Sequence, residues 1–226
     1  ETIDALHIAV PYHKPDISLP ADVVEEILRI DGLDNVEIPT SITITPAVDE
    51  NIEAEALKEK VSNYLVGLGF NEILTNSITN KAYFTNEELA TVVKMKNSLS
   101  AELNIMRPNM LETGLEVIAH NLNRKNDDLK LFEFGRTYSI NSKGKFDEPE
   151  HLCVYLTGNK APQSWKGKTV ANDFYTVKGS VEKILKLLGI SATSYADLNE
   201  AQFGESLMVK AGQQIIARLG SIHKKV

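Results

Sequence analysis

Cysteine is nearly absent: Cys153, between Leu152 and Val154, is the only one in 226 residues. A single thiol excludes a disulfide framework within the chain and reads as a buried core residue, which suits a reducing cytosol. Long apolar runs are missing too. None approaches the ~18 residues of a membrane-spanning helix, so no membrane association is expected, and no secretory leader pattern is visible. Positive charge is in deficit: 24 Lys and Arg stand against 31 Asp and Glu, a formal net charge of −7. Proteins that hold nucleic acid by themselves usually present a basic field. Here basic residues gather only briefly, as at Arg124-Lys125 and Lys224-Lys225. Familiar reaction motifs are lacking. There is no GxGxxG after a strand, no P-loop and no HExxH, and no Ser, Cys or His sits in a nucleophile motif. The five histidines are dispersed without ligand spacing, and His120 reads as a surface residue of a helix. Internal repeats and low-complexity tracts are absent as well.

What remains is an ordinary globular composition, 42% hydrophobic and 24% charged, long enough for a large core. The chain begins at Glu1 and stops abruptly after "GSIHKKV", and it reads as a piece of something longer. A strand-like "ALHIAV" and the Pro-bounded "PYHKPDISLP" precede a first helix. "VEIPTSITITP" reads as an extended linker. A helix over about 51–68 carries Leu57, Val61, Tyr64, Leu65 and Leu68 on one face, with Gly69 closing it. "NEILTNSIT" and "ATVVKMKN" read as strands. Pro108 opens a helix whose apolar face is Leu111, Leu115, Ile118, Ala119 and Leu122. "DLKLFEFGRTYSI" reads as two strands about Gly135, "NSKGK" as a turn, and "HLCVYLTG" as a central strand. A helix over about 174–188 buries Val177, Val181, Ile184, Leu185 and Leu188, and "SLMVKAGQQIIARLGSI" is a hairpin turning at "AGQQ". Hairpins interspersed with helices, without βαβ alternation, predict an α+β fold.

The stretch "DISLPADVVEEI" places Asp16, Asp22, Glu25 and Glu26 within eleven residues. Two readings compete. In the first, Asp22 is an N-cap and Glu25 its capping-box partner, with Glu25 and Glu26 complementing the positive end of the helix dipole. In the second, the carboxylates hold a hard divalent ion such as Mg²⁺, which takes oxygen ligands in octahedral geometry. Capping does not need Asp16, in an extended segment after Pro15, nor Glu26. The metal reading uses all four, one of them through water.

Several stretches together are similar to one family. "VPYHKPDISLPADVVEEILRIDGLDNVEIP" resembles the end of the small metal-bearing, winged-helix-like module in the β subunit of bacterial phenylalanyl-tRNA synthetases. "LVGLGFNEILTNSIT", "MRPNMLETGLEVIAHNLNR", "LKLFEFGRTY" and "DFYTVKGSVEKILKLLG" resemble the domain that follows it, in the family's order, and "GQQIIARLGSIH" its last hairpin. The resemblance implies two domains, 1–40 from the small Mg²⁺-binding module and 41–226 with a class II synthetase-like antiparallel sheet flanked by helices. It also implies an Mg²⁺ site on Asp16, Asp22, Glu25 and Glu26. Asp31 and Leu33 stand where the family often has aromatics. The implied assembly is an (αβ)₂ tetramer with the catalytic α subunit, cytoplasmic, meeting tRNA(Phe) through the whole enzyme. Upstream oligonucleotide-binding and editing modules and a downstream anticodon-binding module would lie outside this chain.

A class II site needs an arginine on the α-phosphate and a second one clamping the γ-phosphate, because such cations stabilise the transition state of adenylate formation. In the region resembling the first of these, Arg124 ends a helix beside Lys125 and a short acidic turn, and no partner acid follows in the expected pattern. Arg218 sits in a hairpin whose Gly212 and Gly220 read as turn glycines. The large domain is therefore expected to be a non-catalytic copy, inactive alone, that packs on α through the 51–68 and 109–123 helices. Glu133 and Arg136 are expected to form ordinary cross-strand or interface pairs. The alternative is a stand-alone Mg²⁺-dependent phosphotransferase or adenylating enzyme, which would need the phosphate cradle this sequence lacks.

Overall fold

The computed structural model describes residues 7–45, 52–98, 100–161, 164–165, 167–191 and 193–223. The chain divides into two compact units, 1–50 and 51–226. In the first, helix α1 (Pro20–Asp31) is followed by a 3₁₀ turn over Leu33–Asn35. Residues 7–10 are neither helix nor strand, and the rest of "ALHIAV" lies outside the described residues. Residues 36–45 carry no helix or strand either.

α1 starts earlier than its acids suggest. Pro20 takes the first helical position, where a missing N–H leaves nothing unsatisfied, and Leu19 is the N-cap. Asp22 is thus at N3, not at the cap. Its Oδ2 reaches back to accept from the backbone N–H of Leu19 at 2.7 Å and of Ser18 at 2.9 Å. Gly32, at φ +97°, closes the helix by donating its N–H to Leu28 O at 2.8 Å. No residue of α1 is buried.

The second unit runs α2 (Ile52–Gly67), β1 (Asn71–Glu72), β2 (Ile78–Thr79), β3 (Ile105–Met106), α3 (Leu111–Leu122), β4 (Lys130–Arg136), β5 (Ser139–Ile140), β6 (Phe146–Asp147), β7 (Glu150–Leu156), α4 (Phe174–Leu187), β8 (Thr193–Asp197), β9 (Phe203–Ala211) and β10 (Gln214–Ile222). β4 lies between β1, which it pairs in parallel, and β7, which it pairs antiparallel. β8, β9 and β10 form an antiparallel meander, and β2–β3 and β5–β6 are two-stranded ribbons. Segregated helices and mostly antiparallel strands make this an α+β domain.

β4 is covered on both faces. Phe132 and Phe134 point toward Val61 and Leu65 of α2 and Ile184 of α4, while Leu129 and Leu131 pack with Ile118 of α3 and Tyr155 of β7. α4 also covers the meander through Leu185, Val209 and Leu219. Its start follows from Asp173, whose Oδ1 accepts from Thr176 N at 2.8 Å, a side-chain N-cap.

Four local expectations change. "NEILTNSIT" is not one strand: Ile73 N donates to Phe132 O, but Thr75 N donates to the Glu133 side chain, so the backbone ladder stops there. "ATVVKMKN" is reduced to the bridges Val92–Ser139 and Lys94–Ile105. "HLCVYLTG" supplies an edge strand of the three-stranded sheet, not a central one. Its apolar run is explained by cover on both faces: Leu152, Val154 and Leu156 pack on one cluster, Cys153 and Tyr155 on the other. α3 is rolled from its expected face: Thr113, Gly114 and Ile118 are buried, while Ala119 and Leu122 are exposed. The cause is Gly114, where an added Cβ would lie 2.1 Å from Tyr155 Cζ. Only glycine lets α3 approach β7 so closely, and Tyr155 donates its hydroxyl to Met110 O at 2.6 Å.

Candidate functional site

The acidic stretch is only partly assembled. Asp16 lies exposed in a turn rather than in an extended segment, with Ile17 N donating to Lys14 O. Glu25 is exposed on α1. Asp22 is engaged by the two N–H groups described above, those of Leu19 and then Ser18, and they hold its carboxyl below the usual carboxylate range. Glu26 accepts from Lys14 Nζ at 2.9 Å and Arg29 Nη2 at 2.6 Å. These two cations, Lys14 foremost, keep its carboxyl low as well. Among the described residues, no group of three or more Asp, Glu, His or Cys side chains is arranged to hold a metal ion. The donor chemistry of the four carboxylates suits Mg²⁺. In the arrangement described, Glu26 is engaged by Lys14 and Arg29 instead.

A second constellation sits in the core of the large unit. Arg107 and Glu133 are 2% and 0% exposed, with Arg107 Nη1 donating to Glu133 Oε1 at 3.0 Å. The same nitrogen donates to Thr75 Oγ1 at 2.7 Å, and Arg107 Nε donates to Arg136 O at 2.9 Å. Glu133 also accepts from Thr75 N at 3.1 Å and Thr75 Oγ1 at 2.8 Å. Thr113 Oγ1 lies 3.1 Å from Thr75 Oγ1. Gly135 makes room: a Cβ there would lie 2.1 Å from Arg107 Nη2. β4 therefore runs unbroken through Gly135, where the sequence suggests a break between two strands. Glu133 pairs with Arg107, not with a cross-strand neighbour. Arg107 escaped the sequence reading. Its signal was a lone arginine between Ile105-Met106 and Pro108, matched by a lone glutamate between Phe132 and Phe134.

Next to this network is a cleft of about 430 Å³. Its walls come from residues 74–76 and 78–80, from Tyr83, from Glu102 and Leu103, and from Thr113, Glu116 and Val117 of α3. Tyr83 donates its hydroxyl to Glu116 Oε1 at 2.5 Å, and that bond, foremost, raises the phenol's pKa. Among the described residues, no lysine, arginine or histidine lines the cleft. Arg124 is exposed and donates to His120 O, and Arg218 pairs with Glu200 at 3.0 Å. Neither reaches the cleft.

The comparisons with known proteins bear on the whole chain. Residues 38–226 match the family model described as the phenylalanyl tRNA synthetase beta chain CLM domain. A phenylalanine--tRNA ligase beta subunit from Bacteroides thetaiotaomicron is 40% identical over 241 residues, covering 100% of this chain and 29% of that one. One from Geobacter sulfurreducens is 31% identical over 233 residues, covering 98% of this chain and 29% of that one. The chain thus spans less than a third of the length of these relatives. Among solved structures, a pyrrolysyl tRNA synthetase from Desulfitobacterium hafniense superimposes with a TM-score of 0.55 at 18% identity, covering 88% of this chain and 61% of that one. The large unit accordingly shares the fold of class II aminoacyl-tRNA synthetase catalytic domains. With the model matched over 38–226, the chain belongs to the family of the phenylalanyl tRNA synthetase beta chain CLM domain.

Proposed function

We propose that this chain serves phenylalanine–tRNA ligation as a non-catalytic assembly part of the β subunit, packing on the catalytic α subunit in an (αβ)₂ enzyme. The observation that carries the non-catalytic reading is the cleft beside the sheet: it presents Glu102 and Glu116 and, among the described residues, no cation. A nucleotide triphosphate needs positive clamps there, and the nearby Arg107 is buried on Glu133. α2 supports the packing role. Val61 and Leu65 face the core, while Ile52 and Val66, 64% and 56% exposed, lie on the opposite side of the helix. A helix apolar on two sides suits cover by a second body.

Titration calorimetry of the chain with ATP·Mg²⁺ tests the first half. No saturable heat and no phenylalanine-dependent pyrophosphate exchange are expected, and micromolar binding overturns it. Ile52→Asp with Val66→Asp tests the second: co-purification with an α subunit should drop while the free chain's melting is unchanged. Mg²⁺ binding at Asp16, Asp22, Glu25 and Glu26 belongs to the same proposal, and requires Glu26 to exchange Lys14 and Arg29 for the ion.

A further inference from the structure

We propose that the segment between β7 and α4 is a docking arm, and that its Trp165 enters an apolar pocket rimmed by carboxylates on the α subunit. The inference rests on the assembly reading and gives that assembly a second contact besides α2. The segment folds back on itself through the bridges Asn159–Ala171 and Ser164–Gly167, and Lys160 N donates to Val170 O at 2.8 Å. Its base is pinned by side chains. Asn159 donates its backbone N–H at 2.7 Å and its Nδ2 at 3.0 Å to Asp128 Oδ1. Asn172 Nδ2 donates to Thr157 O at 2.8 Å and to Asn159 O at 3.1 Å. Lys160 Nζ meets Asp173, the cap of α4, at 3.2 Å. Gly158, at φ +64°, leaves no room for a side chain, since a Cβ there would lie 2.2 Å from Asp128 Oδ1. Such pinning fixes the direction in which the arm leaves the sheet, and an arm ordered before binding loses less entropy on docking.

What the arm presents differs from the rest of the chain. Trp165, the only tryptophan, is 90% exposed, and Val170 is 58% exposed. Tryptophan is highly buried on average, and at interfaces it is among the residues that carry most of the binding energy. From Gly158 to Asn172 the sequence holds Lys160, Lys166 and Lys168 and no acid, in a chain of net charge −7. An apolar anchor among ammonium groups is complementary to an apolar pocket with carboxylates at its rim. A symmetric pair of this chain fits less well, because arm against arm across a two-fold axis sets lysine against lysine. A nucleic-acid strand is opposed by the acidic balance of the chain as a whole.

A lone tryptophan is its own reporter. The chain labelled with fluorotryptophan gives one fluorine NMR signal, and unlabelled α subunit from the same organism is added to it. The signal should move and lose its sensitivity to solvent deuterium as Trp165 leaves water. Trp165→Ala should leave the melting temperature unchanged, because the side chain is exposed, and should weaken association with α at least about ten-fold, the scale of an interface anchor. Lys168→Glu should weaken it too, and more at low salt than at high. If α binds but the signal stays where it was, or if Trp165→Ala binds like the wild type, the arm is overturned and the assembly reading stands. If α does not bind at all, both fall. A signal that moves with the concentration of the chain alone, or on adding a single-stranded RNA but not α, also overturns the proposal, in favour of a second copy or of nucleic acid.

Discussion

Removing the charge of Glu133 probes the core network most directly. Glu133 is 0% exposed and faces donors only: Arg107 Nη1, Thr75 N and Thr75 Oγ1, all within 3.1 Å. In Glu133→Gln one amide N–H₂ replaces an acceptor and points at those donors. The Arg107 charge, 2% exposed, then loses its counter-ion. Breaking a buried pair by removing one partner costs about 3–5 kcal/mol, which is roughly 6–20 °C in Tm for a domain of this size. Arg107→Met should cost a similar amount. The double variant Arg107→Met/Glu133→Leu should lose far less than the sum. It buries no charge, and what remains is the unpaired Thr75 N–H, worth about 1–3 kcal/mol. Urea unfolding of the wild type, Arg107→Met, Glu133→Leu and the double variant, read as a double-mutant cycle, gives the coupling. A second cycle checks the geometry: Gly135→Ala should be severe in the wild type, where its Cβ meets Arg107 Nη2 at 2.1 Å, and milder with Met at 107. Additive single effects, or a Glu133→Gln cost below about 1 kcal/mol, would refute the view that this pair organises the core.

Further outcomes follow from local geometry. Gly114→Ala should destabilise the chain by more than about 2 kcal/mol in urea, reversing the usual helical gain of roughly 0.5–1 kcal/mol, because of the Tyr155 ring 2.1 Å from the new Cβ. Millimolar Mg²⁺ should raise the melting temperature and Asp16→Ala should abolish the rise, at about 1.4 kcal/mol for an ion at ten times its Kd; equal shifts in both proteins reject the metal reading. The carboxyl of Asp22 is held low by the N–H groups of Leu19 and Ser18. Its contribution is therefore present above the ordinary aspartate pKa and lost as pH falls through the lowered folded value. NMR should show the start of α1 fraying in that acid window, and Asp22→Asn should move the fraying to neutral pH.

Helices α2 and α4, the closing hairpin and the α+β class were legible in the residues, because each rests on local signals. These are apolar spacing at 3.6 residues, Gly69 and Gly189 at positive φ as stops, and Gly212 at the hairpin turn. Asp22 shows where local reasoning falls short: an acid near a helix start can sit at the cap or at N3, and Pro20 decided it by taking the first helical position. The roll of α3 was invisible because it depends on Tyr155, forty-one residues beyond Gly114. Which carboxylates meet cations was invisible for the same reason. Glu26 found Lys14 across a turn, and Glu133 found Arg107 from another strand end. Spacing along the chain determines which residues share a face of one element. Only tertiary packing decides which faces meet, and with them which charges are buried in pairs and which, like Glu102 and Glu116, are left to line a cleft without a counter-ion in its walls.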